Sequence, residues 1–417
     1  MKAFRHRGRV WPAVALVVSL VSLLLLGLAV RPTDGATGTW EAAWGVPPVN
    51  AKFPPAADQS FRMIVRPTVG GRAIRIRLSN AFGDDPVRLT SLSIARRLSG
   101  PAVDPATVTP LTFQGKREVT IGPHRSAVSD PTDMPFRYGD DLAVSFHLPG
   151  NAPQVTGHGA SAAIVTSYLT PPGAGDTTGD TSGGAFTEST QNKYFLTGLD
   201  ASVPKGQGTV VAFGDSITDG TGSVPDRFDD YPDQLAARLN SAGYRLGVVN
   251  AGIAGNTVLF CQASAGAGDP AETRFARDAL QQPNVRAVIL MEGGNDLRIC
   301  PPPVDAIEAG LRSLIDRAHA AHLAVLLGTY PPHVSRYDES VATGEAMREQ
   351  LNRWIREQGA KHVVEGVVDF DAALRDPASP DRQRAGSGSA DGIHPGPPGY
   401  QIMADLVPLK ALVTASH

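Results

Sequence analysis

Two patterns of apolar residues divide the chain. In the first half, runs such as Ile74-Arg-Ile-Arg-Leu78 place an apolar residue at every second position. This spacing puts the apolar side chains on one face of a strand and the guanidinium groups on the other face. Comparable runs, separated by Gly, Pro and Asp residues, lie at Phe61–Val65, Leu142–Leu148, Ala162–Leu169 and Tyr194–Leu199. We therefore predict an all-β domain over residues 39–205, built as a sandwich or a jelly roll.

The second half of the chain alternates buried strands with amphipathic helices. The predicted strands are the apolar runs at Thr209–Phe213, Leu246–Val249, Ala287–Met291, Ala324–Leu327 and Val363–Val364 with Val367–Val368. Helical spacing of apolar residues predicts helices over residues 231–242, 272–281, 304–321, 343–357 and 398–412. This alternation is typical of a doubly wound parallel sheet. We therefore predict an α/β domain over residues 206–417, with ligands at the carboxyl ends of its strands.

The first 38 residues have the pattern of an export signal. Basic residues between Lys2 and Arg9 precede an uncharged apolar run over Ala13–Val30. The run is longer than the apolar core of an ordinary signal peptide and close to the minimum length of a membrane-spanning helix. Residues 1–38 are therefore predicted to be either a cleaved signal peptide or a retained signal anchor. Both interpretations place the rest of the chain outside the cytoplasm, at the cell surface or in the medium.

Composition and charge are those of an ordinary globular protein. The 417-residue chain has a formal net charge of −3, and 42% of its residues are hydrophobic and 19% charged. Such a chain is long enough for about two domains. Lys and Arg form no long run after the first ten residues, so the electrostatic pattern of a nucleic-acid-binding protein is absent. Contact with a membrane is expected only through the amino-terminal segment.

Cys261 and Cys300 are the only cysteines in the sequence. In an oxidising compartment an isolated pair forms a disulfide more often than a metal site, and we predict a disulfide here. On the chain-entropy estimate, closing this loop would stabilise the fold by roughly 4 kcal/mol. The alternative interpretation is two unrelated buried thiols.

The stretch Thr209–Gly220 carries the first candidate for chemistry. Its β-branched and apolar run ends abruptly in Gly214-Asp-Ser216. We interpret the run as a buried parallel strand that places Ser216 at its carboxyl end, with helix-start N–H groups directed at whatever the serine attacks. The structural alternative is an ordinary strand-to-helix turn, because Asp and Ser cap helices and Gly permits tight turns.

Three further polar segments also lie between a predicted strand and a predicted helix. Asn250–Asn256 follows the second predicted strand, Glu292–Asp296 follows the third, and Asp391–Pro395 comes just before the last predicted helix. Because the carboxyl ends of parallel strands meet at one edge of a sheet, we expect these segments to lie near Ser216.

The residue types in these segments fit nucleophilic catalysis. A serine hydroxyl needs an imidazole to accept its proton, and His394 is the candidate base. Asp391, three residues earlier, could hold that imidazole in the right tautomer and stabilise its charged form. The oxyanion formed on attack needs fixed donors, and the backbone N–H groups of Ser216 and Gly255 with the side-chain amide of Asn295 would supply three.

These four blocks resemble those of the SGNH, or GDSL, hydrolase family. Gly214-Asp-Ser216, Gly255, Gly293-Gly-Asn-Asp296 and Asp391-Gly-Ile-His394 stand in the order of that family, over roughly residues 208–412. The first block reads Gly-Asp-Ser-Ile where the namesake motif has Leu. The resemblance implies a flavodoxin-like three-layer α/β/α fold and ester hydrolysis through an acyl-serine. It implies Ser216, Asp391 and His394 as the triad, and Ser216, Gly255 and Asn295 as oxyanion donors.

One disfavoured class and one further resemblance bear on the assignment. The larger α/β-hydrolase class is disfavoured, because its nucleophile elbow needs Gly two residues after the serine, where Thr218 stands. The upstream β domain resembles the amino-terminal part of exported bacterial members described as xylanase-cluster-like, through stretches such as Arg77-Leu-Ser-Asn-Ala-Phe-Gly83.

The sequence therefore predicts a secreted serine esterase that uses no metal or organic cofactor. Its substrate would be a carboxylic ester, such as an O-acetyl group on a polysaccharide or an acyl group of a lipid. The catalytic residues alone do not select between these substrates. Two alternatives stay open. One is a surface carbohydrate-binding or structural protein with an inactive hydrolase domain, and the other is an acyltransferase.

Some polar residues near these motifs have structural interpretations. Asp219 and Asp296 are each expected to cap a helix or brace a loop. His319 and His322, one helical turn apart, are expected to be solvated helix residues because no third metal ligand accompanies them. His158 has no assigned part, although its loop would border the predicted site if it reached the second domain.

Overall fold

The computed structural model describes residues 38–50, 53–54, 56–159, 165–264, 266–333 and 341–414. The predicted export segment, residues 1–38, lies outside this part of the chain except for Gly38. Within the described ranges, no helix combines the length and the apolar character needed to cross a membrane. The described residues form an antiparallel β region followed by a parallel sheet with helices on both faces.

The antiparallel region contains two sheets. Its strands among the described residues are β1 (Thr39–Gly45), β2 (Ala56–Val65), β3 (Gly71–Ser79), β4 (Val87–Ser99), β5 (Ala102–Val103), β6 (Thr109–Pro110), β7 (Glu118–Ile121), β8 (Ser126–Val128), β9 (Thr132–Phe136), β10 (Leu142–Ala152), β11 (Gly157–His158), β12 (Ser167–Leu169), β13 (Glu188–Thr190), β14 (Lys193–Tyr194) and β15 (Leu196–Val203). One sheet has the order β1-β15-β3-β8, with β9 also paired to β3. The other has the order β13-β12-β2-β10-β4-β5, with β6 and β7 also paired to β4. A single β11-β14 pair lies apart from them.

The inner faces of the two sheets share one apolar core. The alternate residues Ile74, Ile76 and Leu78 of β3 are fully buried in it, together with Phe61 and Phe146 from the opposite sheet. An alternating strand buries its apolar face only when a second layer covers that face. The region is therefore the curled β-sandwich that the alternation predicted.

Two strands of this region differ from their predictions. The predicted strand Tyr194–Leu199 is divided into β14 and β15, because Phe195 has a φ of +58° that ends regular pairing. The predicted strand Ala162–Leu169 is represented by β12 at Ser167–Leu169, and residues 160–164 lie outside the described chain.

The second half contains a five-stranded parallel sheet. Its strands are β16 (Gly208–Gly214), β17 (Leu246–Gly252), β18 (Val285–Met291), β19 (Ala324–Gly328) and β20 (Gly366–Val368), in the order β17-β16-β18-β19-β20. This is the flavodoxin-like order, in which the first strand lies between the second and the third and the strand order reverses there. A short hairpin of β21 (Arg375–Asp376) and β22 (Ser379–Gln383) follows.

Helices cover both faces of the parallel sheet. They are α1 (Ser216–Asp219), α2 (Tyr231–Ser241), α3 (Ala271–Phe275) with a π-helical continuation (Ala276–Leu280), α4 (Gly294–Ile299), α5 (Val304–Ala320), α6 (Val341–Ala360), α7 (Phe370–Leu374), α8 (Pro397–Leu406) and α9 (Leu409–Thr414). In β16, Val211 and Phe213 pack against α3 to α6, whereas Val210 and Ala212 pack against α2 and α7 to α9. Helices on both faces of one sheet make three layers, so the α/β/α prediction is confirmed. Because both faces of β16 are buried, its sequence is a continuous apolar run.

Two local predictions in this half were wrong. The helix expected over residues 398–412 is two helices, α8 and α9, because Pro408 lacks the N–H that a continuous helix requires and clashes with the preceding turn. Val363 and Val364 lie in a turn, and only Gly366–Val368 forms the last strand.

The antiparallel region contacts the parallel sheet along the edge strand β17. Thr68 Oγ1 donates to the carbonyl of Val248 and accepts from its N–H, each at 2.9 Å. Nearby, Glu41 Oε1 accepts from Gly208 N at 2.8 Å, at the start of β16. Backbone groups at an exposed sheet edge would lack hydrogen-bond partners. Here the side chains of Thr68 and Glu41, in the antiparallel region, supply such partners.

Candidate active site

The end of β16 places Ser216 at the carboxyl edge of the sheet. Only glycine fits at Gly214, because a Cβ there would lie 2.3 Å from both the carbonyl oxygen of Met291 and Thr218 Oγ1. Asp215 then caps α1, its side chain accepting from Ile217 N at 3.0 Å. Ser216 is the first residue of this helix, so its own N–H has no acceptor within the helix.

Three predicted residues form one chain of hydrogen bonds. Ser216 Oγ lies 2.8 Å from His394 Nε2, and His394 Nδ1 lies 2.6 Å from Asp391 Oδ2. The carboxylate beside Nδ1 places the ring proton there, so Nε2 is left to accept from the serine hydroxyl. The arrangement can draw a proton from Ser216 and stabilise the imidazolium that results.

Asp391 is fixed by a short turn of its own backbone. Its Oδ1 accepts from Ser389 Oγ at 2.6 Å, Ile393 N at 2.8 Å and His394 N at 3.0 Å. Partial burial acts to raise the pKa of Asp391, but the hydrogen bonds from Ser389, His394 and the two backbone N–H groups outweigh it and hold this pKa well below its ordinary value. Asp391 therefore stays ionised through the pH range of a working enzyme.

Two of the predicted oxyanion donors, Gly255 and Asn295, lie on the loop after β17 and on α4. Gly255 follows β17 with a φ of +78°, a conformation that favours glycine. Asn295 is buried on α4, and its Nδ2 donates to Asn256 O at 2.9 Å and to Asp215 Oδ2 at 3.3 Å. Both amide hydrogens thus have protein acceptors in the structure, and the donor role of Asn295 stays a prediction.

Sequence reasoning missed the environment of Asp215. This residue is fully buried, and Tyr330 Oη donates to the same Oδ2 that Asn295 contacts. Burial raises the pKa of Asp215, and the hydrogen bonds from Tyr330 and Ile217 partly offset this rise. Tyr330 comes two residues after the end of β19, so the rule that located the other segments could have identified it.

Arg274 is a second residue that the sequence did not reveal. Its buried guanidinium donates to the carbonyls of Gly214 at 2.8 Å and Ala251 at 2.9 Å, and to Asn256 Oδ1 at 2.8 Å. It also lies over the ring of Phe213, 3.9 Å from the centroid. One side chain from α3 therefore joins the ends of β16 and β17 beneath the site. Nothing local in the sequence of α3 distinguishes Arg274 from a surface arginine.

Two cross-links hold the loop after Gly255 to α4. The predicted disulfide is confirmed, since Cys261 and Cys300 are bonded across a sequence separation of 39. Asp296 braces the same loop, because its carboxylate accepts from Val258 N at 2.8 Å and Leu259 N at 3.0 Å. Burial raises the pKa of Asp296 to about 6, although the hydrogen bonds from these two N–H groups act to lower it. The loop of Gly255 and the helix of Asn295 are thereby tied together.

The sequence profile of the GDSL-like lipase/acylhydrolase family matches residues 212–402. The match includes Ser216, Gly255, Asn295, Asp391 and His394. The carboxyl-terminal half of the chain is a GDSL-like lipase/acylhydrolase domain. The GDSL domain thus contains both the parallel sheet and the hydrogen-bonded triad.

Solved structures similar to the GDSL domain include three esterases or lipolytic proteins. The native aryl esterase of M. smegmatis is 18% identical with a TM-score of 0.40, and the match covers 49% of this chain and 99% of that one. A carbohydrate acetylesterase from Sinorhizobium meliloti is 17% identical with a TM-score of 0.38, covering 47% and 94%. A lipolytic protein of the G-D-S-L family from Veillonella parvula is 22% identical with a TM-score of 0.37, covering 48% and 94%. No curated protein matches the sequence.

The remaining candidates lie outside the triad of the GDSL domain. His319 contacts Glu365, with Nε2 and Oε2 3.2 Å apart, at the far end of α5. In the described part of the chain, no three His, Cys, Asp or Glu residues are grouped as a metal site would require. Asp219 and His158 contact each other, with His158 Nε2 3.0 Å from Asp219 Oδ1, directly behind α1.

Proposed function

We propose that the GDSL domain hydrolyses carboxylic esters through an acyl-serine intermediate. The observation that carries this proposal is the continuous series of hydrogen bonds from Ser216 Oγ to His394 and from His394 to Asp391. A bonded serine and imidazole, with the imidazole oriented by a carboxylate, is the arrangement that activates a hydroxyl nucleophile.

In the acylation step, Ser216 Oγ attacks the ester carbonyl carbon while His394 Nε2 takes the hydroxyl proton. Asp391 stabilises the imidazolium, and the oxyanion lies among the N–H groups of Ser216 and Gly255 and the amide of Asn295. To meet the oxyanion, Asn295 Nδ2 would exchange its 3.3 Å contact with Asp215 for the new acceptor. The carbonyl then reforms, and the alcohol leaves with the proton from His394.

In the deacylation step, water attacks the acyl-serine as His394 Nε2 accepts one of its protons. Collapse of the second oxyanion releases the carboxylic acid and returns the proton to Ser216 Oγ. Both half-reactions use the same imidazole to carry the proton, so their atoms and charges balance without an oxidant, a reductant or a metal-bound water.

The proposed substrates are short acyl esters outside the cytoplasm, with O-acetyl groups on carbohydrate as the first candidate. The Cys261–Cys300 disulfide supports an oxidising compartment, and the pattern of residues 1–38 supports export. Phe260, 73% exposed, is adjacent to that disulfide and offers a flat apolar surface near α4 on which a sugar ring could lie. Fractionation of expressing cells tests the location: protein retained in the cytoplasm contradicts the proposal.

The experiment compares wild type with Ser216→Ala on p-nitrophenyl acetate, butyrate and octanoate, and on acetylated xylan. Ser223→Ala is the matched control, because its buried hydroxyl donates to Gly220 O, at 2.6 Å, in the loop after α1. Turnover by wild type and Ser223→Ala, with none by Ser216→Ala, supports the proposal. A folded wild type without turnover on any ester supports the inactive-domain alternative. A product ester formed with an added alcohol, at the expense of free acid, identifies an acyltransferase.

A further inference from the structure

His158 lies in the antiparallel region and reaches the GDSL domain. It belongs to β11, whose two residues pair with Lys193 and Tyr194 of β14. The histidine is 2% exposed, so its ring has no access to bulk water. A buried imidazole must satisfy both nitrogens with protein partners, because an unpaired buried polar group is costly.

Both ring nitrogens of His158 face acceptors. Nδ1 lies 2.8 Å from the carbonyl oxygen of Pro47, and Nε2 lies 3.0 Å from Asp219 Oδ1. A neutral imidazole has only one N–H, so it could donate to only one of them. The imidazolium donates to both. The geometry therefore selects the charged form of His158, paired with the carboxylate of Asp219.

Asp219 joins the two segments that hold the proposed nucleophile and one proposed oxyanion donor. It is the last residue of α1, which begins at Ser216, and its N–H donates to Asp215 O at 2.8 Å. Its other carboxylate oxygen, Oδ2, accepts from Ala254 N at 3.1 Å, and Ala254 directly precedes Gly255. The direction of this carboxylate thus sets the spacing between α1 and the Gly255 loop, and His158 holds that direction.

We propose that His158 is a positioning residue for the esterase reaction, acting as an imidazolium that aligns Ser216 with the N–H of Gly255 through Asp219. The proposal rests on the proposed function. It gives the antiparallel region a part in the chemistry, because one of its side chains completes the support of the site. A displacement of about 1 Å between nucleophile and oxyanion donor is enough to lower a rate by about 10²-fold.

The charged groups around the ring give this arrangement a pH dependence. Burial acts to lower the pKa of His158, but the charge of Asp219 and the hydrogen bonds to Asp219 and to Pro47 O outweigh it, and the net effect is a raised pKa. Lys193, across the β11-β14 pair, acts in the opposite direction. As pH rises through the raised pKa, His158 loses a proton and must break one of its two hydrogen bonds, to Pro47 O or to Asp219. We therefore expect kcat to fall above that pKa.

The first experiment measures kcat and KM for p-nitrophenyl acetate against pH in wild type, His158→Gln and His147→Gln. His147 is the matched control, since it is also in the antiparallel region and pairs with a carboxylate, Asp58 Oδ1, at 3.0 Å. We expect His158→Gln to lose about 10- to 10²-fold in kcat with little change in KM, and to lose the alkaline decline. His147→Gln should keep the wild-type profile. Equal kcat in wild type and His158→Gln overturns the proposal.

A second variant and a spectroscopic measurement cover the case in which His158→Gln fails to fold. Asp219→Asn keeps the shape of the side chain but removes the charge that retains the proton on His158. It should also lower kcat and abolish the alkaline decline. Nitrogen-15 spectra of wild type should show His158 with both ring nitrogens protonated at pH 7. A neutral His158 at that pH overturns the proposal.

The two proposals fail differently. If wild type has no ester turnover, the proposed function fails and this inference fails with it. If wild type turns over and Ser216→Ala does not, the proposed function stands. Unchanged kcat and pH profile in both His158→Gln and Asp219→Asn then overturn only the positioning role.

Discussion

Replacement of Asp391 by Asn tests whether the carboxylate sets the tautomer of His394. Three donors surround Oδ1 of Asp391, two of them backbone N–H groups at 2.8 and 3.0 Å that cannot turn away. In Asp391→Asn the amide oxygen must therefore take this position, which directs the NH2 group at His394 Nδ1. Nδ1 can then only accept, so the ring proton moves to Nε2, opposite Ser216 Oγ. An Nε2–H cannot take the serine proton.

The expected magnitude separates this effect from the loss of a hydrogen bond. Losing a hydrogen bond to a charged group costs about 1.5–3 kcal/mol, equivalent to roughly 10- to 150-fold in rate. A wrong tautomer in a serine–histidine–aspartate arrangement costs about 10⁴-fold in kcat, or about 5 kcal/mol. We therefore expect Asp391→Asn to lose about 10⁴-fold in kcat on p-nitrophenyl acetate.

The assay compares Asp391→Asn with Asp180→Asn, a matched change at a carboxylate outside the triad. Asp180 accepts from Ser182 Oγ at 2.6 Å and from Ala185 N at 2.8 Å, in a turn of the antiparallel region. Both variants replace a carboxylate that accepts several hydrogen bonds with a neutral amide, so thermal unfolding should shift by similar amounts, whereas only Asp391→Asn should lose turnover. If a folded Asp391→Asn keeps more than about a hundredth of wild-type kcat, the carboxylate of Asp391 does not set the tautomer of His394.

Three further outcomes are expected. Asn295→Ala should lose roughly 10²- to 10³-fold in kcat if its amide meets the oxyanion, and a fully active variant would remove that assignment. Reduction of the Cys261–Cys300 bond should lower the free energy of unfolding by roughly 4 kcal/mol, which chemical denaturation with and without reductant measures. Reduction should also lower kcat, because the bond ties the Gly255 loop to α4. Burial lowers the pKa of Lys193 from 10.5 to about 7, so above pH 7 the unfolded chain binds a proton that the folded chain does not. Stability should therefore rise with pH above about 7, by up to 1.36 kcal/mol per unit, and Lys193→Met should abolish this rise in urea titrations; an unchanged slope would contradict the assignment.

Much of the fold was predictable because it follows from neighbours in the chain. The period-two run of β3 and the helical spacing of α2 and α5 predicted these elements to within three residues. Their apolar faces then required a second layer, which is the reason that a sandwich and a three-layer sheet could be inferred. In two places where the prediction failed, a single residue was responsible. Phe195 divides one strand by its positive φ, and Pro408 divides one helix.

The site was predictable for a different reason. The carboxyl ends of parallel strands meet at one edge, so polar segments after three strands and before the last helix were expected together. Asp391 and His394 also lie within a single turn, where sequence spacing is a direct guide to distance. The hydrogen bond between Ser216 and His394, which are 178 positions apart, then follows from the sheet order. The engaged amide of Asn295 could not be foreseen, because it depends on the position of Asp215.

The sequence by itself determined the type of most of the long elements, the candidate catalytic residues and their edge of the sheet. These properties depend on periodicity and on the direction of parallel strands, which are local or topological. Only the tertiary structure decided that Arg274 joins two strand ends, that Tyr330 contacts Asp215, and that His158 reaches Asp219 across 61 positions. Each of these contacts depends on how two elements pack, and packing geometry leaves no periodic signal in the chain.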